Sequence, residues 1–411
     1  MWKRFVLLSL IISITFAASN VALPYFMLYL KGSLHQIVAK FLPAEKVVVE
    51  VGTLTSAYMA TRVIVAFSSG FIAERTGRKR ALMSGLILYL ISGIGMIFSN
   101  SFLQVLLWRA LQGVASALVW PIAESLLVDL FPESKTKALM FYVMAMNLGF
   151  IFGPVLGGAV LQAAASLPLD VAVRTPFVLL PIGAILGIIM MIKVPEVIHK
   201  SKKLRELSAK IMGALYVFFL NGFVNGIAGG MMMSVLLIYI MQYITSVPME
   251  LASILAISGI VGMLLAVPLT KKMDEIGFQR RFQILVWTGA IHKIALMAMM
   301  LAKGYASMVL VLTVFNFATS VAMPLMRSVQ SDLIPKELTA KVFGIQQSTF
   351  NFGMIIGPLF GSILYKWFVD NGMDGGWVFV IAGLIGLVGI VALALVDREI
   401  LHKEIEAMRS S

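Results

Sequence analysis

Two arginines interrupt long apolar stretches of this 411-residue chain and are the residues best placed to do chemistry. Arg62 lies in the apolar run over residues 49–72, and Arg109 lies in the run over residues 102–127. A guanidinium keeps its charge and presents five hydrogen-bond donors. In apolar surroundings such a group is expected to face protein or a water-filled cavity. The two arginines therefore predict a positively charged polar site among apolar segments.

The surroundings of these arginines favour a particular class of ligand. Gln112 lies three residues after Arg109, on the same face of a helix, and Gly113 follows it. Glu124 is the one acidic residue clearly inside an apolar run and lies near its end, whereas Glu50 borders the second run. A cavity for cations is expected to supply a buried acid, so the site favours neutral or anionic amphipathic molecules. If these apolar runs cross a membrane, the alternative for Arg109 is a side chain that extends to the outer membrane–water interface.

Other kinds of site are not predicted. The chain has no cysteine, which excludes disulfides and thiol catalysis. Its four histidines lie far apart in sequence, without the spacing of a metal site: His35, His199, His292 and His402. A phosphate-binding loop and a catalytic triad are also missing from the sequence. We therefore expect no enzyme, no metal and no cofactor.

The composition places these residues in a membrane protein. Hydrophobic residues make up 60% of the chain and charged residues 13%, and the mean hydropathy is +0.94. A soluble domain has about 45–50% apolar and about 25% charged residues. Continuous apolar runs also differ from the alternating strands of a membrane barrel. A soluble enzyme, a disordered chain and an outer-membrane barrel are therefore disfavoured.

Twelve apolar runs are long enough for helices that cross a bilayer, which takes about 20 residues each. We predict helices at 4–30, 49–72, 81–99, 102–127, 138–163, 175–194, 211–242, 251–270, 284–302, 307–330, 341–367 and 377–397. If both termini are cytoplasmic, 22 of the 33 Lys and Arg fall in inner segments and six in outer segments. This is the positive-inside bias. The basic charge therefore belongs to inner loops, and no nucleic-acid surface is predicted.

The chain divides into two related halves. A hydrophilic segment at residues 195–210 separates six predicted helices over 1–194 from six over 211–411. Asp129 and Asp332 lie in matching strings at an offset of 203 residues, and a glycine-rich string in each half matches at an offset of 204. Duplicated bundles of this kind are typical of secondary transporters, with a substrate site where the halves meet.

The loop after the second predicted helix has an unusual composition. Residues 70–80 read GFIAERTGRKR. Gly77 permits a tight turn. Arg78 can pair with Glu74, four residues earlier, or with Asp129 at the inner end of the fourth predicted helix. These residues predict an ionic contact on the cytoplasmic side.

The fifth predicted helix carries small residues at regular spacing. Glycines at every fourth position allow another helix to approach closely, and a proline can bend the helix. The residues concerned are Gly149, Gly153, Pro154, Gly157 and Gly158, with a copy in the second half at Gly353, Gly357, Pro358 and Gly361.

Together these strings resemble the major facilitator superfamily. Residues 70–80 match its signature between the second and third helices, with Glu74 where Asp is more usual, and residues 274–281 look like a degraded second copy. Arg109, Gln112 and Gly113 resemble its R-x-x-Q-G element. The glycine string of the fifth helix resembles its antiporter signature, found mainly in exporters.

The resemblance implies roles for these residues. A cytoplasmic latch that closes the inner side in the outward-facing state would comprise Gly70, Glu74, Gly77, Arg78 and Asp129. The candidates for proton coupling are Arg109, Gln112 and Glu124. The fifth helix would be bent and tightly packed, which prevents leak.

In this superfamily the first, second, fourth, fifth, seventh, eighth, tenth and eleventh helices surround the cavity. The polar residues expected there are Asn20, Tyr58, Arg62, Asn147, Asn221, Asn225, Asn316, Gln346, Gln347 and Asn351. For each amide the alternative is a hydrogen bond between helices, worth about 0.6 kcal/mol. Lys293, beside His292, lies mid-membrane in the ninth predicted helix, which this architecture places at the periphery. Snorkelling or inward packing is expected for Lys293 rather than transport.

The sequence therefore predicts an all-α membrane protein with twelve helices in two pseudo-symmetric six-helix bundles. Its expected function is proton-coupled efflux of a small amphipathic solute by alternating access, as a monomer in the cell membrane. An uptake symporter or uniporter for a nutrient is the first alternative. A non-transporting membrane sensor of the same fold is the second. The expected partners are the solute, protons and the lipid bilayer.

Overall fold

The regular secondary structure of the described residues is all helical. The computed structural model describes residues 2–131, 135–196, 209–271, 273, 276–333 and 339–397. Within these ranges, twelve helical segments are long and apolar enough to cross a membrane. The predicted fold class is confirmed.

We number these twelve segments in chain order and call them spans. The helices that form them are Trp2–Val21 and Leu23–Leu30 (span 1), Val48–Thr76 (span 2), Arg78–Ile97 (span 3), Phe102–Leu130 (span 4), Lys135–Ala163 (span 5), Leu169–Ala172 and Leu179–Met191 (span 6), Ala209–Tyr243 (span 7), Pro248–Lys271 (span 8), Phe278–Ala298 (span 9), Tyr305–Asp332 (span 10), Thr339–Asp370 (span 11) and Trp377–Ala394 (span 12).

Span 1 differs from the single helix predicted at residues 4–30. It is interrupted at Ala22, and a second helix begins at Leu23 with Pro24 in its first turn. Proline has no N–H and fits the first turn of a helix, where that donor has no partner. Prolines inside spans 5 and 11, in contrast, stay within continuous helices: Pro154 and Pro358.

Many spans carry large apolar side chains on their outer surface. Trp287 is 71% exposed, Ile64 67% and Leu310 65%. A soluble protein rarely leaves extended apolar surface open to water. Such a surface suits contact with hydrocarbon, as expected for membrane-spanning helices.

The chain forms two compact units, described here separately. The first unit comprises Met1–Ser201 and Leu236–Ala256, and the second comprises Lys202–Val235 and Ile257–Ser411. The C-terminal end of span 7 and the start of span 8 thus belong with the first unit. The division into halves at residues 195–210 stays a prediction.

Within the first unit, Ser246 joins the turn between spans 7 and 8 to the loop after span 1. Its N–H donates to the carbonyl of Lys40 at 3.1 Å, and its hydroxyl donates to the carbonyl of Ala39 at 2.6 Å. The fully buried Tyr25 donates its hydroxyl proton to the carbonyl of Ser246 at 2.5 Å. The loop after span 1 and the second helix of span 1 therefore fix this turn.

Candidate functional site

The Arg109 side chain lies inside the first unit. It is 2% exposed and donates to Oε1 of Gln112 at 2.8 Å. Its guanidinium lies over the rings of Tyr58, at 5.1 Å, and Phe16, at 5.5 Å. Its Nε is buried without a hydrogen-bond partner among the described residues. Arg109 therefore packs inward and does not extend to the outer interface.

A close approach of spans 2 and 4 brings Tyr58 to Arg109. Gly113 lies against the backbone of span 2, where a Cβ atom would come within 3.0 Å of the backbone nitrogen of Arg62. Thr61 donates to the carbonyl of Ala110 at 2.7 Å. Because only glycine leaves this space, the Gly113 that follows Gln112 in sequence helps to form the aromatic surroundings of the guanidinium.

Two acidic residues of the first unit, Glu50 and Glu124, lie away from Arg109. Glu50 pairs with Lys31 at 2.5 Å, so this carboxylate is held in the first turn of span 2. Glu124 lies fifteen residues after Arg109 in the same helix, a separation of about 22 Å at 1.5 Å per residue. Among the described residues no carboxylate pairs with Arg109 or with the half-buried Arg62.

An ionic contact forms where span 3 begins and span 4 ends. Arg78, the first residue of span 3, pairs with Asp129 near the end of span 4. The same guanidinium donates to the carbonyl of Ser125 at 3.3 Å. The side chain of Glu74 and the packing of Gly70 lie outside the part of the chain that the structure describes. Arg78 thus contacts Asp129, one of the two partners predicted for it.

Gly77 has a positive φ of 96° and lies directly before Arg78. The carboxylate of Glu196 accepts hydrogen bonds from the N–H groups of Lys79, at 2.7 Å, and Arg80, at 3.2 Å. A Cβ atom on Gly77 would lie 2.5 Å from Cδ of Glu196. The positive φ favours glycine at this turn, and the absence of a side chain leaves room for this carboxylate, which caps span 3. Glu196 could not be identified from the sequence, because nothing in its spacing links it to residues 70–80.

A second ionic contact, between the equivalent residues of the repeat, lies in the second unit. Arg281 donates to Oδ2 of Asp332 at 2.7 Å and to Oγ of Ser328 at 2.6 Å. The three residues follow Arg78, Asp129 and Ser125 at the repeat offset of 203. Adding this offset to the numbers of Arg78 and Asp129 would have identified the second pair from the sequence. We call the two ion pairs, Arg78–Asp129 and Arg281–Asp332, the inner ion pairs.

The glycines of span 5 contact span 1. A Cβ atom on Gly157 would lie 2.8 Å from the backbone C and Cα of Ala18. Gly153 and Gly149 face the same helix at Ala17 and Ser13. Gly158 instead lies against the start of span 8 within the first unit. In the second unit, the matching residues Gly353, Gly357 and Gly361 lie against span 7 in the same way.

The other predicted cavity residues differ in their surroundings. Asn147 and Gln347 are exposed, and Gln347 donates to Oδ1 of Asn351 in its own helix at 3.1 Å. Asn316 donates to Oγ of Ser258 at 3.4 Å. The Oδ1 atom of Asn20 is buried without a hydrogen-bond partner in the described structure. Substrate contact by these residues stays a prediction.

Known proteins resemble the chain along most of its length. The family model described as Major Facilitator Superfamily matches residues 5–347 and 218–410. Multidrug resistance protein 2 of Bacillus subtilis (strain 168) is 25% identical over 362 residues, which cover 85% of this chain and 86% of that protein. Quinolone resistance protein NorA of Staphylococcus aureus (strain MSSA476) is 23% identical over 327 residues, which cover 77% and 81%.

Solved structures share the fold. The POT family transporter PepTSo aligns with a TM-score of 0.75 at 12% identity, over 99% of this chain and 98% of that chain. A bacterial homologue of the human lysosomal transporter Spinster aligns with a TM-score of 0.73 at 16% identity, over 96% of both chains. These structural likenesses bear on the fold alone. Because the family model extends over nearly the whole chain, this protein belongs to the major facilitator superfamily and is a membrane transporter rather than an enzyme.

Proposed function

We propose that the protein is a proton-coupled exporter of small amphipathic solutes and works by alternating access. The observation that carries this proposal is the glycine face of span 5, which packs against the backbone of span 1 as the antiporter-type string implies. The names of the relatives, which describe multidrug and quinolone resistance, agree with export. We place the protein in the plasma membrane as a monomer, with both termini in the cytoplasm.

The inner ion pairs are the proposed closure on the cytoplasmic side. Arg78 and Asp129 join the ends of spans 3 and 4, and Arg281 and Asp332 repeat the contact in the second unit. The side chains of all four residues are largely buried. Partly buried charges are screened less by solvent than exposed ones. Each pair can therefore bias a conformational equilibrium between inward-facing and outward-facing states.

Arg109, Gln112 and Glu124 are the proposed coupling residues of the first half. Arg109 is held by Gln112 and by two aromatic rings, with no carboxylate to neutralise it among the described residues. A fixed positive charge of this kind alters the free energy of any proton or anion that approaches it. Proton transfer in this half is therefore expected to depend on Arg109.

The proposed cargo is neutral or anionic. Arg62 and Arg109 place two permanent positive charges on cavity helices, and Glu50 is held by Lys31. A cation at 4 Å from one guanidinium would meet a repulsion of about 4 kcal/mol at an effective dielectric of 20. The polar residues proposed to contact cargo are Asn20, Tyr58, Asn147, Asn221, Asn225, Asn316, Gln347 and Asn351.

Everted membrane vesicles test the direction of transport. With an acidic interior, they are expected to accumulate an amphipathic anion against its gradient, because protons leaving the vesicle drive the solute inward. Vesicles from cells with the empty vector are the control. Accumulation only in right-side-out vesicles would indicate that the protein is an uptake transporter. Transport in neither type of vesicle would favour a membrane sensor.

The variant Arg62→Gln tests the class of cargo. In a competition assay with size-matched cationic, neutral and anionic amphiphiles, cations are expected to compete worst on the parent protein. They should improve by at least about tenfold in the variant, because a loss of 1.4 kcal/mol of repulsion changes an equilibrium tenfold. If cations compete best on the parent and the variant leaves the ranking unchanged, the charge argument is wrong.

A further inference from the structure

Lys293 of span 9 is buried in the second unit rather than directed towards an interface. Its side chain is 1% exposed, and its ammonium nitrogen donates to Oδ1 of Asn225 on span 7. The residue lies about 22 Å along its helix from Phe278, at 1.5 Å per residue, and more than a turn before the helix ends at Ala298. Of the two expectations for Lys293, inward packing is the one observed.

The amide of Asn225 is fixed in the orientation that accepts from Lys293. Its Nδ2 donates to the carbonyl of Asn221 at 2.7 Å and to Oδ1 of Asn221 at 2.8 Å. Asn221 in turn donates to the sulfur of Met326 on span 10 at 3.6 Å. A hydrogen-bonded chain therefore connects span 9 to spans 7 and 10, both of which belong to the helices expected around the cavity.

Glycines of span 12 leave the space that this series of hydrogen-bonded side chains occupies. A Cβ atom on Gly386 would lie 2.5 Å from Cε of Lys293, and one on Gly389 would lie 2.6 Å from Oδ1 of Asn221. Glycines at these two positions thus admit the lysine and the amide. The burial of Lys293 is therefore accommodated by the packing of span 12.

Charged groups are scarce around Lys293. Span 12 carries none between Trp377 and Ala394, and span 7 carries none between Leu215 and Tyr243. On span 10, the ring of Phe315 contacts the neighbouring His292 at 4.2 Å. The charged residues of that span, Arg327 and Asp332, lie twelve and more residues nearer its inner end, which is about 18 Å or more.

His292, which precedes Lys293 in the sequence, is also titratable. Its Nε2 is buried without a hydrogen-bond partner in the described structure. Thus Lys293 faces a neutral amide and a neighbouring imidazole, with no acid paired to it among the described residues. A buried ammonium without a counter-charge is costly in a membrane protein.

We propose that Lys293 carries the coupling proton in the second half of the transporter. The amide of Asn225 suits this role because its oxygen accepts a hydrogen bond from an ammonium and from a neutral amine alike, whereas a carboxylate would hold the charged form. In each cycle Nζ takes a proton from the outer water and releases it to the cytoplasm, and no other reactant is consumed. This inference rests on the proposed proton-coupled export and names the residue that performs the coupling.

The test separates driven transport from exchange in proteoliposomes. For Lys293→Met, accumulation driven by an acidic interior is expected to fall at least about tenfold, to the level of equal pH. Counterflow of labelled against unlabelled solute at equal pH should stay within about twofold of the parent, since exchange needs no net proton movement. Lys303→Met is the matched control, because Lys303 lies at the outer end of span 9 and pairs with Asp374; both activities should be unchanged.

A second variant tests the same assignment if Lys293→Met does not fold. Lys293→Arg keeps a permanent positive charge and is also expected to lose driven accumulation while retaining counterflow. Driven accumulation at the parental level in either variant overturns the assignment of Lys293. A parent protein that exchanges solute but ignores the pH gradient would instead refute proton-coupled export itself, so the two failures are distinguishable.

Discussion

Arg78→Ala is expected to reduce transport at least about tenfold while the protein still inserts and folds. The substitution leaves Asp129 without the guanidinium that pairs with it at the ends of spans 3 and 4. Loss of only 1.4 kcal/mol from one of two conformational states shifts their equilibrium tenfold. Initial transport rates at matched membrane levels measure the effect, and size-exclusion profiles check folding.

Arg80→Ala is the matched control for Arg78→Ala. Arg80 is exposed, and its recorded contact with Glu196 uses its backbone N–H, which alanine retains. Asp129→Asn should be milder than Arg78→Ala, because an amide oxygen still accepts a hydrogen bond from the guanidinium. Full transport by Arg78→Ala, at a normal level of folded protein, would remove this ion pair from the proposed mechanism.

Gly157→Ala is expected both to lower the thermal stability and to abolish driven transport. The added methyl group would meet backbone atoms of Ala18 at 2.8 Å, and backbone cannot rotate away as a flexible side chain can. Overpacking of this kind costs about 1–3 kcal/mol. The melting temperature in detergent and driven uptake in liposomes measure the two effects.

Gly344→Ala makes the same chemical change in span 11 with open space around it. A Cβ atom there would have no other atom within 4 Å, and alanine favours a helix more than glycine does. This control should therefore melt at or slightly above the parental temperature and transport normally. Equal melting temperatures for the Gly157 and Gly344 variants would contradict the close contact of spans 1 and 5.

Much of the fold follows from simple features of the sequence. The apolar runs are long enough to identify twelve spans, because a bilayer requires about 20 apolar residues of each helix. Regular spacing also predicted that the glycines of span 5 meet another helix. It did not identify span 1 as the partner at Ala18, since spacing on one helix carries no information about its neighbour.

The local environment of the polar residues was harder to predict. Glu50 lies in the same helix as Arg62, but its carboxylate pairs with Lys31 in the loop after span 1. The partner of Lys293 is an amide on a helix about 70 residues away in sequence, and the space for the lysine comes from glycines on a third helix. Such arrangements depend on three-dimensional packing, which periodicity within one helix cannot specify.

The most direct test of proton-coupled export uses the purified protein in liposomes with an imposed pH difference of two units, acidic inside. For one proton exchanged per neutral solute, this gradient can support up to about 100-fold accumulation, since each 1.4 kcal/mol is tenfold. We expect accumulation well above the external concentration, abolished when an ionophore collapses the pH difference. Uptake that stops at the external concentration, with or without the gradient, would contradict proton-coupled export.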